Sequence, residues 1–115
     1  MATTLYGIGN CDTVKKAKKW LDTHGVEYDF HDLKKDGLDV KQVSRWSRSL
    51  GWKNMLNTRG TTWRNLSEED KQNLSENKSI KLMLNNPSII KRPILHYGSI
   101  THLGFDEDEY KELFG

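Results

Sequence analysis

The segment from residue 3 to residue 31 constrains the fold of this chain most strongly, because two strand patterns enclose a helix pattern within it. Residues 3–8 are rich in β-formers and lead into glycines and an asparagine, which indicates a strand and then a turn. From about residue 12 to 24, apolar residues recur at helical spacing until Gly25. Residues 26–31 alternate as a strand does, so the segment predicts a βαβ unit.

The middle of the chain has a helical pattern instead. Residues 40–50 fit one amphipathic helix that ends at Gly51. Ser67 precedes three acidic residues, which is typical of a helix N-cap followed by a first turn. Residues 80–84 predict a further helix, so we expect a mostly helical region between the two ends of the chain.

Strand patterns return near the C-terminus. Residues 89–96 are β-formers, Gly98 marks a turn, and residues 100–103 predict the returning strand of a hairpin. Asp106 is placed to cap a final helix.

The order of elements is therefore β-α-β, a helical insertion over about 38–86, and β-β-α. This order predicts an α/β chain with a thioredoxin-like, glutaredoxin-type, mixed four-stranded sheet. With 115 residues the chain fits one domain, so we expect a single domain over 1–115.

Composition and charge exclude several classes of protein. The formal net charge is only +2, which argues against direct binding of nucleic acid. No apolar run reaches the length of about 18 residues that a transmembrane helix needs. The first residues lack the basic and apolar stretches of a secretory signal, so we expect a cytoplasmic protein that does not contact membranes.

The sequence contains one cysteine, Cys11, so any disulfide that it forms must join another molecule. It falls in the predicted turn at the start of the first helix, where backbone N–H groups favour negative charge and stabilise a thiolate. Lys15 and Lys16 add positive potential, whereas Asp12 opposes it. An inert buried thiol is the alternative. The polar neighbours Asn10 and Asp12 indicate exposure, so we favour a reactive nucleophile.

Two further segments leave alternatives open. Pro93, after Arg92, would begin an apolar strand; this is unusual for proline, and a cis peptide bond is one account, although trans bonds are commoner. Residues 58–63 combine Arg59 with hydroxyls and a glycine in a predicted loop, which suits either an anion site or a plain surface turn.

Two groups of side chains have simpler interpretations. The lysines between residues 15 and 19 fit a solvated helix face better than a docking site. The four histidines have no metal-ligand spacing, and with one cysteine we expect no metal site.

Three blocks of sequence resemble one family over essentially the whole chain. They are residues 5–17 (LYGIGNCDTVKKA), residues 56–64 (LNTRGTTWR) and residues 89–95 (IIKRPIL), and residues 103–105 (LGF) agree with them. In these blocks the chain resembles YffB-type proteins of the arsenate reductase (ArsC)/Spx family, in the thioredoxin-like superfamily.

The resemblance implies a thioredoxin-like core with Cys11 as the nucleophile and Pro93 as the cis-proline of the fold. It implies that Arg92 assists oxyanion or thiolate chemistry and that Arg59 has a related role. It further implies glutathione as a co-substrate with no tightly bound cofactor. The substrate-binding residues that it implies are Asn10, Lys91, Pro93, Gly104 and Phe105.

The sequence also departs from its relatives at positions that bear on function. Arsenate reductases of this type use three arginines, and here Arg92 matches one, while Asn57 and Gly104 stand at the other two positions. Spx-type regulators often carry Cys-x-x-Cys, and the second position here is Val14. Gly51 matches a glycine in the region where Spx contacts RNA polymerase.

Two functions follow from the resemblance. The first is a monothiol, glutathione-dependent thiol reductase that acts on a thiol or oxyanion substrate. The second is an Spx-like redox-responsive regulator with RNA polymerase as its partner, or a module that binds glutathione without turnover.

Overall fold

The computed structural model describes residues 2–115, and the chain divides into two compact units. The first unit combines the two ends of the chain, up to Asp36 and from Arg92 onwards, and the second is Gly37–Lys91. The predicted insertion over about 38–86 lies within the second unit.

The helices and strands follow one another along the chain with short connections. In chain order they are β1 (Thr3–Gly7), α1 (Asp12–Thr23), β2 (Asp29–Asp32), α2 (Val40–Leu50), α3 (Trp52–Met55), α4 (Thr61–Arg64), α5 (Glu68–Lys71), α6 (Glu76–Asn85), a 3-10 turn (Pro87–Ile89), β3 (Ile94–Tyr97), β4 (Ile100–Leu103) and α7 (Glu107–Phe114).

The sheet lies in the first unit and has the strand order β2-β1-β3-β4. β1 is parallel to β2 and antiparallel to β3, and Leu5 pairs with both Phe30 and Leu95. β3 and β4 form an antiparallel hairpin. The parallel pair needs a crossover, which α1 supplies, and the hairpin leads into α7. The prediction of a mixed, four-stranded, thioredoxin-like α/β fold is confirmed.

The core of this unit forms where one face of α1 meets the sheet. Val14, Ala17 and Leu21 are each fully buried and recur at the spacing that places them on one helix face. They pack with Leu5 of β1 and Leu95 of β3 in one apolar cluster. Burying a leucine side chain contributes roughly 1.5–3 kcal/mol, so these contacts hold the start of α1 firmly against the sheet.

The second strand begins later than its alternating pattern predicts. Gly25 has φ +67° and ends α1, where its N–H donates to the carbonyl of Asp22 at 3.2 Å. The N–H of Val26 donates to the carbonyl of Leu21 at 2.9 Å. These two bonds form a Schellman motif, so Val26 serves the helix end and β2 starts only at Asp29.

The second unit is helical, as predicted. Asp39 caps α2 by accepting from the N–H of Gln42 at 2.8 Å, and α2 ends at Gly51, whose φ is +85°. Ser75 caps α6 in the same way through the N–H of Lys78. The hydroxyl of Ser47 donates to Glu76 at 2.7 Å and joins α2 to the start of α6.

Two local predictions are wrong. Residues 58–63 were predicted to be a loop, yet Thr61–Arg64 forms one helical turn; threonine is a weak helix former, which hides such a turn in the sequence. The strand predicted over 89–96 is shorter, because Ile90 instead pairs with Leu56 in an isolated bridge. No helix within residues 2–115 is long and apolar enough to cross a membrane.

Candidate functional site

Cys11 lies where β1 ends and α1 begins. Its N–H donates to the carbonyl of Ile8 at 3.1 Å and closes a tight turn, and its own carbonyl accepts from the N–H of Lys15 at 3.0 Å. Its backbone is extended, with φ −90° and ψ 125°, as an N-cap requires. Cys11 is half-buried, and the backbone N–H groups of Val14 and Thr13 at the start of α1 act on its sulfur.

Asp32 holds this turn from the end of β2. One of its carboxylate oxygens accepts from the N–H of Gly9 at 3.2 Å. The other accepts from the N–H groups of Lys34 at 2.8 Å and Lys35 at 3.0 Å. These bonds lower the pKa of Asp32, and the N–H of Lys35 has the largest effect. Burial of the carboxyl group opposes this shift. Asp32 is therefore a charged anchor for the loop that carries Cys11.

No sequence motif marks Asp32 as part of the site. It is separated from Gly9 by 23 positions, and the residue as a whole is only 6% exposed. Buried carboxylates are rare unless they are paired or hydrogen-bonded, and this one is held by backbone N–H groups from two segments. An acidic residue at a strand end beside lysines is too common a pattern to predict that role.

The surroundings of Cys11 favour its thiolate. Partial burial by itself raises the pKa of the thiol, but the backbone N–H of Val14 and the Arg92 guanidinium oppose this effect. Arg92 acts both by a hydrogen bond and by its charge, and the N–H of Thr13 adds a weaker contribution, so the pKa of Cys11 lies below its usual range. No capping hydrogen bond within normal limits joins this side chain to α1.

Arg92 and Pro93 stand immediately before β3. The peptide bond between them is cis, in agreement with the prediction from the family resemblance. Pro93 is buried, and its carbonyl accepts from the N–H of Gly104 at 2.8 Å. Gly104 has φ +86°, a conformation that suits glycine and turns the chain from β4 towards α7.

Several predicted residues thus occur together in the first unit. Cys11 and Arg92 are in contact, Pro93 is bonded to Gly104, and Asn10 is exposed in the turn before the thiol. Phe105 is half-buried and packs edge-on against Tyr110, with ring centroids 4.8 Å apart.

Arg59 and Lys91 belong to the second unit. Arg59 is exposed, and its N–H donates to the side chain of Asn57 at 3.2 Å. Lys91 is exposed, and its N–H donates to the carbonyl of Met55 at 2.7 Å. The roles of both residues in the chemistry of Cys11 remain predictions. Within residues 2–115, no three His, Cys, Asp or Glu side chains are placed to hold a metal ion.

The structure therefore places Cys11 at the N-terminus of the first helix of a thioredoxin-like fold, beside Arg92 and the cis peptide bond that precedes Pro93. The model of the ArsC family matches residues 6–113, and the chain belongs to that family.

Solved structures and sequence relatives agree with this assignment. A YffB protein is 50% identical and superposes with a TM-score of 0.93, covering 96% of this chain and 97% of that chain. An arsenate reductase (ArsC) related protein from Brucella melitensis is 43% identical with a TM-score of 0.79, covering 99% of this chain and 95% of its own. The global transcriptional regulator Spx of Lactiplantibacillus plantarum is 30% identical over 112 residues, covering 95% of this chain and 83% of the regulator.

Proposed function

We propose that this protein is a glutathione-dependent thiol reductase in which Cys11 is the nucleophile. The observation that carries the proposal is the contact between Cys11 and Arg92 at the N-terminus of α1, which lowers the pKa of the thiol. The thiolate is the reactive form of cysteine, so a lower pKa gives a larger fraction of reactive Cys11 at the neutral pH of the cytoplasm. Cys11 has no second cysteine in the chain to resolve its adducts.

The proposed cycle has two thiol–disulfide exchanges. The Cys11 thiolate first attacks the glutathione sulfur of a mixed disulfide between substrate and glutathione. A Cys11–glutathione disulfide forms, and the substrate leaves as a thiolate that takes a proton from water. A second glutathione thiolate then attacks the glutathione sulfur of this adduct, which releases oxidised glutathione and restores the Cys11 thiolate. The net reaction converts one mixed disulfide and one reduced glutathione into one substrate thiol and one oxidised glutathione.

The charged and backbone groups around the thiol have separate roles in this proposal. Arg92, with Arg59, stabilises the anions that develop as sulfur–sulfur bonds break. Glutathione adds as an extended segment beside Pro93, as peptides add to a sheet edge. Because the Pro93 carbonyl already serves Gly104, this pairing depends on neighbouring backbone groups. Asn10 and Lys91 complete the glutathione site, and Phe105 contacts the substrate half of the mixed disulfide.

A disulfide fits this site better than arsenate does. Of the three arginine positions of arsenate reductases, Gly104 offers no side chain and Asn57 is neutral. Asn57 also has its side-chain oxygen engaged by the N–H of Arg59 at 3.2 Å. A doubly charged oxyanion would therefore meet fewer fixed cations than in an arsenate reductase, whereas a disulfide needs only one at each developing thiolate.

The experiment measures turnover of a glutathionylated peptide with reduced glutathione, coupled to glutathione reductase, for the wild type and Cys11→Ser. The proposal predicts many turnovers per wild-type molecule, none above background for Cys11→Ser, and slower turnover with arsenate as the oxidant. A wild-type rate equal to the Cys11→Ser rate on every disulfide contradicts the proposal. Intact mass after incubation with oxidised glutathione identifies the adduct.

A regulatory function is the second candidate, and the relationship to the Spx regulator of L. plantarum favours it. In this proposal the Gly37–Lys91 unit binds RNA polymerase through the surface around Gly51. An added Cβ at Gly51 would lie 3.2 Å from the Asn54 amide, and its φ of +85° disfavours other residues. Gly51→Asn tolerates that φ best and is the matched control for Gly51→Arg.

The two candidates differ in a pull-down with purified polymerase subunits. A regulator binds a subunit, and Gly51→Arg abolishes the binding while Gly51→Asn and Cys11→Ser retain most of it. A reductase shows no such binding and keeps its turnover in the Gly51→Asn variant.

A further inference from the structure

A groove of about 770 Å³ runs along α1 and past the start of α7 in the first unit. Its end nearest the thiol is Thr13, whose N–H contributes to the stabilisation of the Cys11 thiolate. Its far end lies at the last turn of α1, about 16 Å away at the rise of an α-helix. The groove therefore begins two positions after Cys11 in the sequence and is too long to serve the Cys11 sulfur alone.

Aromatic side chains form the floor of the groove. Trp20 is 8% exposed and meets Tyr110 edge-on, with ring centroids 5.5 Å apart. Phe105 also meets Tyr110 edge-on, with ring centroids 4.8 Å apart, and lines the groove. The His24 ring stacks on Trp20, with ring centroids 3.9 Å apart, and also lines the groove. Because the buried Tyr110 ring contacts both Trp20 and Phe105, the floor is a preformed aromatic surface.

The two walls of the groove carry opposite charges. Lys16 and Lys19 stand three residues apart on α1, are exposed, and make no ion pair or side-chain hydrogen bond within residues 2–115. The other wall has Asp106 and Glu107, and the Asp106 carboxylate is already used to cap α7 through the N–H of Glu109 at 3.1 Å. Lys16 and Lys19 are thus cations that are available to an incoming ligand.

We propose that this groove binds the polypeptide next to the reactive cysteine of a protein substrate, as an extended segment with an acidic side chain against Lys16 and Lys19. This inference rests on the proposed reductase function and names its substrate class. From Thr13 to Lys16 and Lys19 is about 5–9 Å along the helix, which an extended peptide spans in two to three residues. The acidic residue therefore lies two or three positions from the substrate cysteine, and an apolar residue beside it covers the aromatic floor.

The experiment compares two glutathionylated peptides that differ only in carrying Glu or Gln at the second and third positions on both sides of the cysteine. Lys16→Gln/Lys19→Gln is the test variant, and Lys15→Gln/Lys81→Gln is the matched control. The control removes the same charge from two exposed lysines outside the groove, one of them on the same helix. The readout is the ratio of kcat/KM for the Glu peptide to that for the Gln peptide, at low and high salt.

The inference predicts that the ratio falls about fivefold in the test variant, as expected for the loss of two solvent-exposed ion pairs. It further predicts that the control keeps the wild-type ratio and that salt lowers the wild-type ratio. An unchanged ratio in the test variant overturns the inference. If kcat/KM falls equally on both peptides, the ratio is likewise unchanged, and the lysines then act on the thiol or on glutathione.

A binding measurement separates this inference from the proposed function. A fluorescent Glu peptide with serine in place of its cysteine is titrated against Cys11→Ser protein, with and without the two groove substitutions. Saturable binding that weakens in Lys16→Gln/Lys19→Gln supports the groove even if no disulfide turns over. Absence of binding, or binding that these substitutions leave intact, contradicts it.

Discussion

The buried carboxylate of Asp32 accepts a hydrogen bond from the N–H of Gly9, two residues before Cys11, at 3.2 Å. This bond ties the end of β2 to the turn that carries Cys11. The same carboxylate also receives the N–H groups of Lys34 and Lys35, so one charge orders two loops. The bond thus couples the position of the thiol to a residue at the end of β2.

Asp32→Asn tests this anchor. An amide has one acceptor oxygen for the three N–H groups, so we expect the free energy of unfolding at neutral pH to fall by about 1–3 kcal/mol. Because folding lowers the pKa of Asp32, its contribution is complete above the unfolded pKa of about 3.9 and is lost as pH falls through the folded pKa. The difference in the free energy of unfolding between the wild type and Asp32→Asn therefore becomes smaller at acidic pH.

Chemical denaturation at a series of pH values measures this difference. Asp36→Asn is the control, because Asp36 is exposed and accepts a single bond, from the N–H of Asp32 at 2.9 Å, which an amide can also accept. A gap between wild type and Asp32→Asn that stays constant down to about pH 3 contradicts the electrostatic account.

Gly7 allows α1 to approach β1 closely. A Cβ at Gly7 would lie 2.7 Å from a methyl carbon of Val14, which is fully buried. We expect Gly7→Ala to lower the free energy of unfolding by about 1–3 kcal/mol, as overpacking does. Gly9→Ala is the matched control, since its Cβ meets nothing closer than 3.6 Å, and we expect about 0.5 kcal/mol or less. Equal thermal stability of the two variants contradicts this packing argument.

Arg92→Ala tests the pairing with the thiolate. Loss of the charged hydrogen bond raises the pKa of Cys11, and we expect alkylation by iodoacetamide near neutral pH to slow about tenfold. Arg92→Lys keeps the positive charge but lacks the planar guanidinium group, so we expect its alkylation rate to lie between those of the wild type and Arg92→Ala. Arg45→Ala, an exposed arginine of α2, serves as the control. Alkylation of Arg92→Ala at the wild-type rate and with the wild-type pH profile rules out this role.

Arg59→Ala tests a different contribution. If Arg59 stabilises the anion that develops in the exchange, kcat/KM on a glutathionylated peptide falls about tenfold while the pKa of Cys11 stays unchanged. Arg64→Ala, five positions further on and also exposed, is the control. A loss of the same size in both variants points to the folding of this segment instead of catalysis.

How much the sequence predicts depends on how local each interaction is. Ser67 and Asp106 were predicted as N-caps, and both caps are present because each bond spans three residues. Cys11 at the mouth of α1 follows from one strand–turn–helix pattern. The Asp32–Gly9 bond joins positions 23 apart and depends on how β2 pairs with β1, so local patterns contain no trace of it.

The lysines of α1 are a second case in which local sequence patterns do not predict the tertiary environment. All four between residues 15 and 19 were interpreted as one solvated face, and periodicity alone supports no finer division. Only the position of α7 separates Lys16 and Lys19, which line the groove, from Lys15 and Lys18. Lys18 instead lies over the ring of Phe30 at 3.6 Å.

The central claim is that Arg92 and the N-terminus of α1 lower the pKa of the Cys11 thiol below its ordinary value. Its most direct test is a titration of the thiolate by ultraviolet absorbance from about pH 5 to about pH 9, with Cys11→Ser subtracted as the baseline. The account predicts a midpoint clearly below the value of about 8.5 for an ordinary thiol, and a rise of that midpoint in Arg92→Ala. A wild-type midpoint at or above the ordinary value would contradict the account.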